Sequence, residues 1–186
     1  MKILNFGSCN IDFVYKLDHI VTIGETETSN SMQVFPGGKG LNQSVALAKA
    51  GMEVYHAGCI GTDGEMLTDV LESNGVDISN IKKVAEKTGH AIIQVSSKGD
   101  NSIFLYPGSN AKITEEFVDE VLDKFQKGDI LLLQNEINKI DYIIEKAYEK
   151  GMCIILNPSP YNDKIKKIDF NMLSYIFCFS YCDNMV

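Results

Sequence analysis

Hydrophobic positions follow two different periods along this chain, and their alternation predicts a parallel α/β fold. Strands are predicted at about 2–7, 54–59, 130–134 and 153–157, and within the last two the runs at 130–133 and 154–156 are apolar without alternation, as is typical of strands covered on both faces. Between them, apolar residues recur every three or four positions, which predicts helices at about 41–50, 64–74, 114–124 and 138–150. Strands alternating with helices indicate a sheet with helices on its faces.

One helix carries a clear chemical signal at its start. Thr114 precedes two acidic residues, so its hydroxyl is predicted to cap the free backbone N–H groups of the first turn. The residues expected to form the buried stripe of this helix are Phe117, Val121 and Leu122.

Two stretches break the alternation of strands and helices. Segments at about 13–35 and 89–107 show partial period-two alternation, the second around Lys98-Gly99-Asp100-Asn101. We therefore expect two antiparallel hairpins at the surface of the α/β unit.

The amino-acid composition indicates a globular protein and argues against some classes of binding partner. With 186 residues, 45% hydrophobic and 23% charged, the chain is expected to form one globular domain. A net charge of −8 argues against nucleic acid or an anionic membrane as its main partner. No signal peptide or membrane-spanning run is evident, and the five cysteines form no obvious disulfide set. We expect a cytoplasmic protein.

A glycine-dense turn gives the clearest sign of ligand binding. It reads Pro36-Gly37-Gly38-Lys39-Gly40-Leu41-Asn42-Gln43-Ser44 and leads into a predicted helix. Glycine lets the backbone approach a ligand, and the helix start offers free N–H groups, so the turn suits a small polar, hydroxyl-rich or anionic ligand. The alternative is a glycine-rich connection without a ligand. The spacing matches neither a P-loop nor a dinucleotide fingerprint.

Polar side chains also follow two of the predicted strands. Asn10 and Asp12 come just after the first strand, and Glu136 follows the strand at 130–134. Ligands of open α/β sheets bind at the carboxyl ends of strands, where carboxylates and amides can hold hydroxyl groups. The alternatives are an Asx-turn at Asn10 and Asp12 and a helix-start acidic residue at Glu136. The scattered histidines predict no metal site.

The sequence resembles the ribokinase family of carbohydrate kinases, the phosphofructokinase B type, over about residues 1–177. The N-terminal signature of that family is matched at Gly37, Gly38, Lys39, Gly40, Asn42, Ser44, Gly51 and Gly61. Four further segments are similar to family motifs: Gly7–Asp12, Gly24–Thr26, Gly61–Gly64 and Leu156–Pro160.

The resemblance implies a fold, a substrate class and a set of contacts. The fold would be a three-layer α/β/α sandwich with a small β-lid, truncated here at its C-terminal side. The activity would be ATP-dependent phosphorylation of ribose or a related sugar, with Mg²⁺ and a monovalent cation, and the lid could pair two subunits in a homodimer. By resemblance, the sugar contacts would be Asn10, Asp12, Gly37, Gly38, Lys39, Gly40, Asn42 and Glu136, with Ala91 and Ile93 as apolar cover.

Two motifs that the family uses for nucleotide binding and catalysis do not occur in the 186 residues. They are Asn-x-x-Glu and the Gly-Ala-Gly-Asp segment that carries the catalytic Asp, which we expect to lie beyond the chain end. The chain would then be one partial domain over 1–186, holding the sugar site and inactive alone. Its atypical tail at 178–186 suggests a frameshift, or else a natural short paralogue. The alternatives for function are a non-catalytic sugar-binding or regulatory module and a nucleoside kinase of the same fold.

Overall fold

The computed structural model describes residues 1–163 and 165–177, which form ten strands and four α-helices. The strands are β1 (Ile3–Phe6), β2 (Asn10–Leu17), β3 (Ser31–Gly37), β4 (Val54–Ile60), β5 (Asp77–Lys83), β6 (Gly89–Ser96), β7 (Asn101–Tyr106), β8 (Ile130–Gln134), β9 (Cys153–Asn157) and β10 (Tyr175–Ile176). The α-helices are α1 (Lys39–Lys49), α2 (Glu65–Ser73), α3 (Glu115–Leu122) and α4 (Ile140–Glu149). Short 3₁₀ turns occupy Gly108–Ala111, Ile165–Lys167 and Phe170–Met172. The atypical tail, 178–186, lies outside the described residues.

The main sheet has six parallel strands in the order β10-β9-β8-β1-β4-β5. Strands β1, β4, β8 and β9 were all predicted, and β8 and β9 carry the uninterrupted apolar runs expected where both faces of a sheet are covered. Strand β5 was missed by sequence reasoning, since the polar run Asp77–Lys83 pairs on one side only, at the sheet edge.

Helices cover both faces of the main sheet, as the predicted three-layer arrangement requires. Helices α3 and α4 pack their apolar stripes on one face, where Leu4 and Phe6 of β1 are fully buried. Helices α1 and α2 pack on the other face around Leu41, Leu67 and Leu71. The hydroxyl of Thr114 accepts a hydrogen bond from the Phe117 backbone N–H at 3.2 Å, which confirms the predicted cap of α3.

The two predicted hairpins come together as a second sheet, the lid sheet, in the order β3-β2-β6-β7. Both hairpins are antiparallel, and β2 joins them by pairing in parallel with β6. Because side chains alternate between faces, Asp12, Ala91 and Leu105 lie side by side on one face. The lid sheet rises directly from the end of β1, since only three residues separate β1 from β2.

None of the helices within residues 1–163 and 165–177 has the length and apolar character needed to cross a lipid bilayer.

Candidate functional site

The glycine-rich turn joins the lid sheet to the main sheet. Gly37 ends β3 and Gly38 takes φ +95°, a conformation that favours glycine, before α1 begins at Lys39. The helix begins two residues earlier than predicted, so Lys39 and Gly40 belong to its first turn. A Cβ on Gly40 would overlap the backbone of Gly7, so glycine lets the start of α1 lie against the end of β1.

The carboxylate of Glu136 lies at the start of α1. Its Oε2 accepts hydrogen bonds from the Lys39 backbone N–H at 2.9 Å and from the Ser8 hydroxyl at 2.6 Å. Its Oε1 pairs with Lys39 Nζ at 2.7 Å. A carboxylate is favoured here because the helix start carries partial positive charge and free N–H groups. Glu136 is thereby held beside the glycine turn, although it follows β8 in the sequence.

Asn10 and Asp12 are the first and third residues of β2 and point to the same face of the lid sheet. Asn10 pairs with Gly37 across the hairpin, and Asp12 pairs with Phe35. A Cβ on Gly37 would overlap the carboxyl group of Asp12, so this glycine makes room for the acid.

These elements enclose one cleft of about 160 Å³, which we name the lid cleft. It is lined by Asn10, Asp12, Gly38, Lys39, Asn42, Ala91, Ile93, Ile103, Leu105 and Glu136. Of the ten contacts that the sequence predicted, Gly37 and Gly40 do not appear in this lining. Gly37 lies against the carboxyl group of Asp12, and Gly40 lies against the backbone of Gly7 and Ser8. The structure brings the other eight together.

Two lining residues were missed by sequence reasoning. Ile103 and Leu105 belong to β7 and pair across the hairpin with Ile93 and Ala91. Both remain exposed, at 53% and 45%, although they are large and apolar. The signal was available, because a residue paired with a predicted contact on an antiparallel hairpin shares its face. The four side chains form an apolar wall of the lid cleft.

The polar side of the lid cleft is rich in carboxylates. Burial, followed by the nearby charge of Glu136, raises the pKa of Asp12, while Lys39 lowers it. Asp12 and Glu136 face a single lining cation, Lys39, and that ammonium is already paired. A cleft with this charge suits neutral groups that donate hydrogen bonds, such as hydroxyls, better than an anion.

A buried polar network supports the floor under the glycine turn. Asn5 Nδ2 donates to the Gly40 carbonyl and to Ser44 Oγ, both at 2.7 Å, and Gln134 Nε2 donates to Asn5 Oδ1 at 2.8 Å. His56 bonds Ser44 Oγ through Nδ1 at 2.8 Å, and full burial lowers its pKa to about 4. These four side chains tie α1 to β1, β4 and β8. Sequence reasoning missed the network, because its members lie on one helix and three strands that are far apart in the sequence.

No group of three or more His, Cys, Asp and Glu side chains among residues 1–163 and 165–177 is arranged to hold a metal ion.

Comparison with known proteins gives a consistent picture. Residues 1–168 match the pfkB family of carbohydrate kinases. A ribokinase from Bacillus subtilis is 35% identical over 158 residues, which cover 83% of this chain and 54% of that protein. The chain thus spans about half the length of the curated relatives it matches.

Solved structures agree in fold. The ribokinase of Cryptococcus neoformans in complex with ADP superposes with a TM-score of 0.83 at 35% identity, covering 94% of this chain and 57% of that one. The Arabidopsis thaliana ribokinase complexed with ribose and ATP gives a TM-score of 0.71 at 29% identity, covering 85% and 53%. The predicted ribokinase-like α/β fold is therefore confirmed, with this chain matching just over half of each solved chain.

Proposed function

Because the chain belongs to the pfkB family of carbohydrate kinases, we propose that it is the sugar-binding part of a ribokinase-type kinase. Enzymes of this family are transferases, and the substrate proposed here is ribose or a related small sugar. The cytoplasmic location predicted from the sequence belongs to the same proposal.

One observation carries the proposal: the convergence of the predicted contacts around the lid cleft. Asn10 and Asp12 come from the lid sheet, Lys39 and Asn42 from α1, and Glu136 from the loop after β8. These elements are distant in sequence, so chance proximity of the matched residues is a poor explanation. The cleft is smaller than the pockets of about 300–1,000 Å³ that hold drug-sized ligands, which favours a single sugar ring.

Each polar group has a role that its chemistry allows. The Asp12 carboxylate accepts hydrogen bonds from sugar hydroxyls, and the amides of Asn10 and Asn42 can donate or accept. Glu136 is held by Ser8 and Lys39, so its carboxylate keeps one position. The apolar wall of the cleft covers the less polar face of the sugar and excludes water from it.

Phosphoryl transfer belongs to the proposal for the whole protein. The resemblance implies ATP, Mg²⁺ and a monovalent cation for the full-length family, whose motifs for nucleotide binding and catalysis do not occur in these 186 residues. We therefore propose sugar binding for this chain and no kinase activity from it alone. A coupled assay of ADP formation with ribose is expected to show no turnover, and turnover in the usual enzyme range of about 1–1,000 per second would contradict this.

Pairing of two chains through the lid sheet is a further part of the proposal. The face opposite the lid cleft carries Val34 and Phe104, which are 41% and 59% exposed. A cluster of exposed apolar residues is unusual in a monomer and typical of an interface. Phe104→Glu should shift the protein toward the monomer in sedimentation analysis, and an unchanged distribution would contradict pairing through this face.

Isothermal titration with D-ribose tests the proposed binding. We expect one saturable site at neutral pH, and Asp12→Ala should cost about 1–3 kcal/mol of binding free energy, the scale of losing hydrogen bonds to a charged group. Asp18→Ala is the matched control, because Asp18 lies on the same hairpin, is exposed, and is not among the residues that line the cleft. Equal affinities for wild type and the Asp12 variant would refute the assignment.

A nucleoside kinase is the second candidate, and one feature favours it. A cavity of about 200 Å³ adjoins the lid cleft and shares Asn10, Leu105 and Glu136 with it. A base attached to the sugar would need such additional space. Titration with adenosine and inosine decides between the two, since binding tighter than that of ribose would favour a nucleoside.

A further inference from the structure

A buried amide lies directly against Asn10 at the base of the lid sheet. It belongs to Asn110, in the 3₁₀ turn Gly108–Ala111 that follows β7, and only 2% of Asn110 is exposed. Asn110 Oδ1 accepts a hydrogen bond from the Cys9 backbone N–H at 3.1 Å. Asn110 Nδ2 donates to the Cys9 carbonyl at 3.2 Å and to Asn10 Oδ1 at 2.7 Å. The turn itself is anchored, because the Ser109 hydroxyl donates to the Cys59 carbonyl at 2.8 Å.

The backbone of Cys9 determines which end of the Asn110 amide faces which neighbour. A backbone N–H can only donate and a carbonyl can only accept, so the Asn110 oxygen must face the N–H and its nitrogen the carbonyl. The other N–H of Asn110 Nδ2 is then directed at Asn10. If the Asn110 amide were rotated by half a turn, its NH₂ group would face the Cys9 N–H and its oxygen would face the Cys9 carbonyl, so neither hydrogen bond could form.

The orientation of Asn10 follows from that of Asn110. Since Asn110 presents an N–H, Asn10 must turn its own oxygen toward it. Its Nδ2 is left as the free end, and among residues 1–163 and 165–177 the structure gives this nitrogen no hydrogen-bond acceptor. Asn10 lines the lid cleft, so this end of the amide is available to a ligand as a donor.

We propose that Asn110 is a positioning residue that fixes Asn10 as a hydrogen-bond donor in the lid cleft. Asp12, two residues along the same face, is an acceptor when ionised, so the ligand meets a donor beside an acceptor. Sugar hydroxyls match this pair, because each can accept one hydrogen bond while donating another. The inference deepens the proposed sugar binding and rests on it for the identity of the ligand.

The test replaces Asn110 with Asp and uses Asn138 as a matched control. The carboxylate introduced by Asn110→Asp still accepts from the Cys9 N–H but cannot donate, so Asn10 should rotate to donate Nδ2 to it and turn its oxygen to the cleft. Asn138 brackets the backbone of Ile113 in the same way, accepting at 3.1 Å and donating at 2.9 Å, without bonding Asn10. Asn138→Asp therefore loses a hydrogen bond to a backbone carbonyl, as Asn110→Asp does, but leaves Asn10 unaffected.

The first measurement needs no sugar. In nitrogen-15 spectra, the side-chain NH₂ of Asn10 should exchange rapidly with water in the wild type and be slowed and shifted in Asn110→Asp. It should be unchanged in Asn138→Asp. An Asn10 signal that is the same in wild type and Asn110→Asp would overturn the proposal, whether or not ribose binds.

The second measurement is the affinity for D-ribose by calorimetry. Asn110→Asp should raise Kd about tenfold, the order of one buried hydrogen bond, and Asn138→Asp should leave it within about twofold. In an Asn10→Ala background, Asn110→Asp should have no further effect, because Asn110 acts through Asn10. Equal losses in the two Asp variants, or a full further loss in the Asn10→Ala background, would overturn the positioning role.

A variant with Asn110 intact keeps the test decisive if Asn110→Asp does not fold. In Asn10→Asp, one carboxylate oxygen accepts from Asn110 and the other faces the cleft, so a donor is replaced by an acceptor. Ribose affinity should then fall about tenfold if Asn10 is a donor, and retained affinity would show that it is not. A wild type that binds no ribose would count against the proposed function, while the NH₂ spectra would still decide the orientation of Asn10.

Discussion

Replacing Asp12 with Asn should make the protein more stable and its sugar binding weaker. The substitution removes one negative charge from the lid cleft and nearly keeps the shape of the side chain. In the structure, burial and then the charge of Glu136 raise the pKa of Asp12, against the opposing effect of Lys39. The ionised carboxylate is therefore less stable in the folded protein than in the unfolded chain, where water solvates it. A neutral amide at this position avoids that free-energy cost.

The expected loss of affinity follows from the hydrogen bonds that Asp12 can offer. Hydrogen bonds to a charged acceptor contribute about 1.5–3 kcal/mol and those to a neutral one about 0.5–1.5 kcal/mol. The difference predicts a loss of about 1–2 kcal/mol of ribose binding, or roughly 5- to 30-fold in Kd. Functional residues commonly trade stability for binding in this way.

The pH dependence of stability has a definite sign. Because the folded pKa of Asp12 lies above its ordinary value of 3.8, the folded state takes up a proton first as the pH falls. At neutral pH the folded state bears the full free-energy cost of the buried charge. This cost decreases as the pH falls through the raised pKa of the folded state, and it is gone below the ordinary pKa of 3.8. The advantage of Asp12→Asn over wild type should therefore be largest at neutral pH and disappear in acid.

Urea denaturation from about pH 7 to about pH 3, below the ordinary pKa of Asp12, and calorimetry with ribose measure both effects. Asp18→Asn is the control, because this exposed residue lies on the same hairpin and its carboxylate bonds Asn30 at 2.9 Å, outside the cleft. A variant that is less stable than wild type at neutral pH, or that binds ribose as tightly, would refute the reasoning about the charge of the cleft.

Substitutions at three further sites, Gly38, His56 and Thr114, test the supporting structure. Gly38→Ala should cost about 1–3 kcal/mol of stability, because φ +95° with ψ 138° is a backbone conformation that residues other than glycine rarely adopt. It should also weaken ribose binding, since the new Cβ would lie 3.0 Å from Asn10 N. Gly24→Ala is the control, because Gly24 also has a positive φ, +82°, but a Cβ there would have no heavy atom within 4 Å. It should lower stability without weakening ribose binding, and an equal loss of ribose affinity in the two variants would contradict the steric argument. Buried His56, with a folded pKa of about 4 against 6.5, should cause stability to fall by about 3 kcal/mol as the pH drops between those values. In His56→Gln, the free energy of unfolding should change less with pH over that range. If its pH dependence were the same as in the wild type, His56 would not be the cause of the loss of stability. Thr114→Ala should cost about 1 kcal/mol in urea denaturation and leave ribose affinity unchanged, whereas Thr114→Ser should retain most of the cap. No loss in Thr114→Ala would contradict the capping role.

Local patterns in the sequence were enough to predict the core of the main sheet. The apolar strands β1, β4, β8 and β9 and the four helices lie within a few residues of their predicted bounds. Strand β5 was not predicted, because its side chains are mostly polar and its pairing with β4 decides its conformation. The resemblance to the family rested on ordered motifs and agreed with the match over residues 1–168.

Most residues that line the lid cleft were named from the family resemblance, but their arrangement was decided by tertiary structure. That Glu136 lies at the start of α1, and that Ile103 and Leu105 complete the apolar wall, depends on pairing between segments far apart in sequence. The same is true of Asn110, which orients Asn10 across 100 residues of chain. Hydrophobic periodicity reflects which face of an element is buried, so a sequence reveals it locally. A hydrogen bond between distant segments requires both partners to be brought within about 3 Å, and that is determined only when the sheets and helices pack.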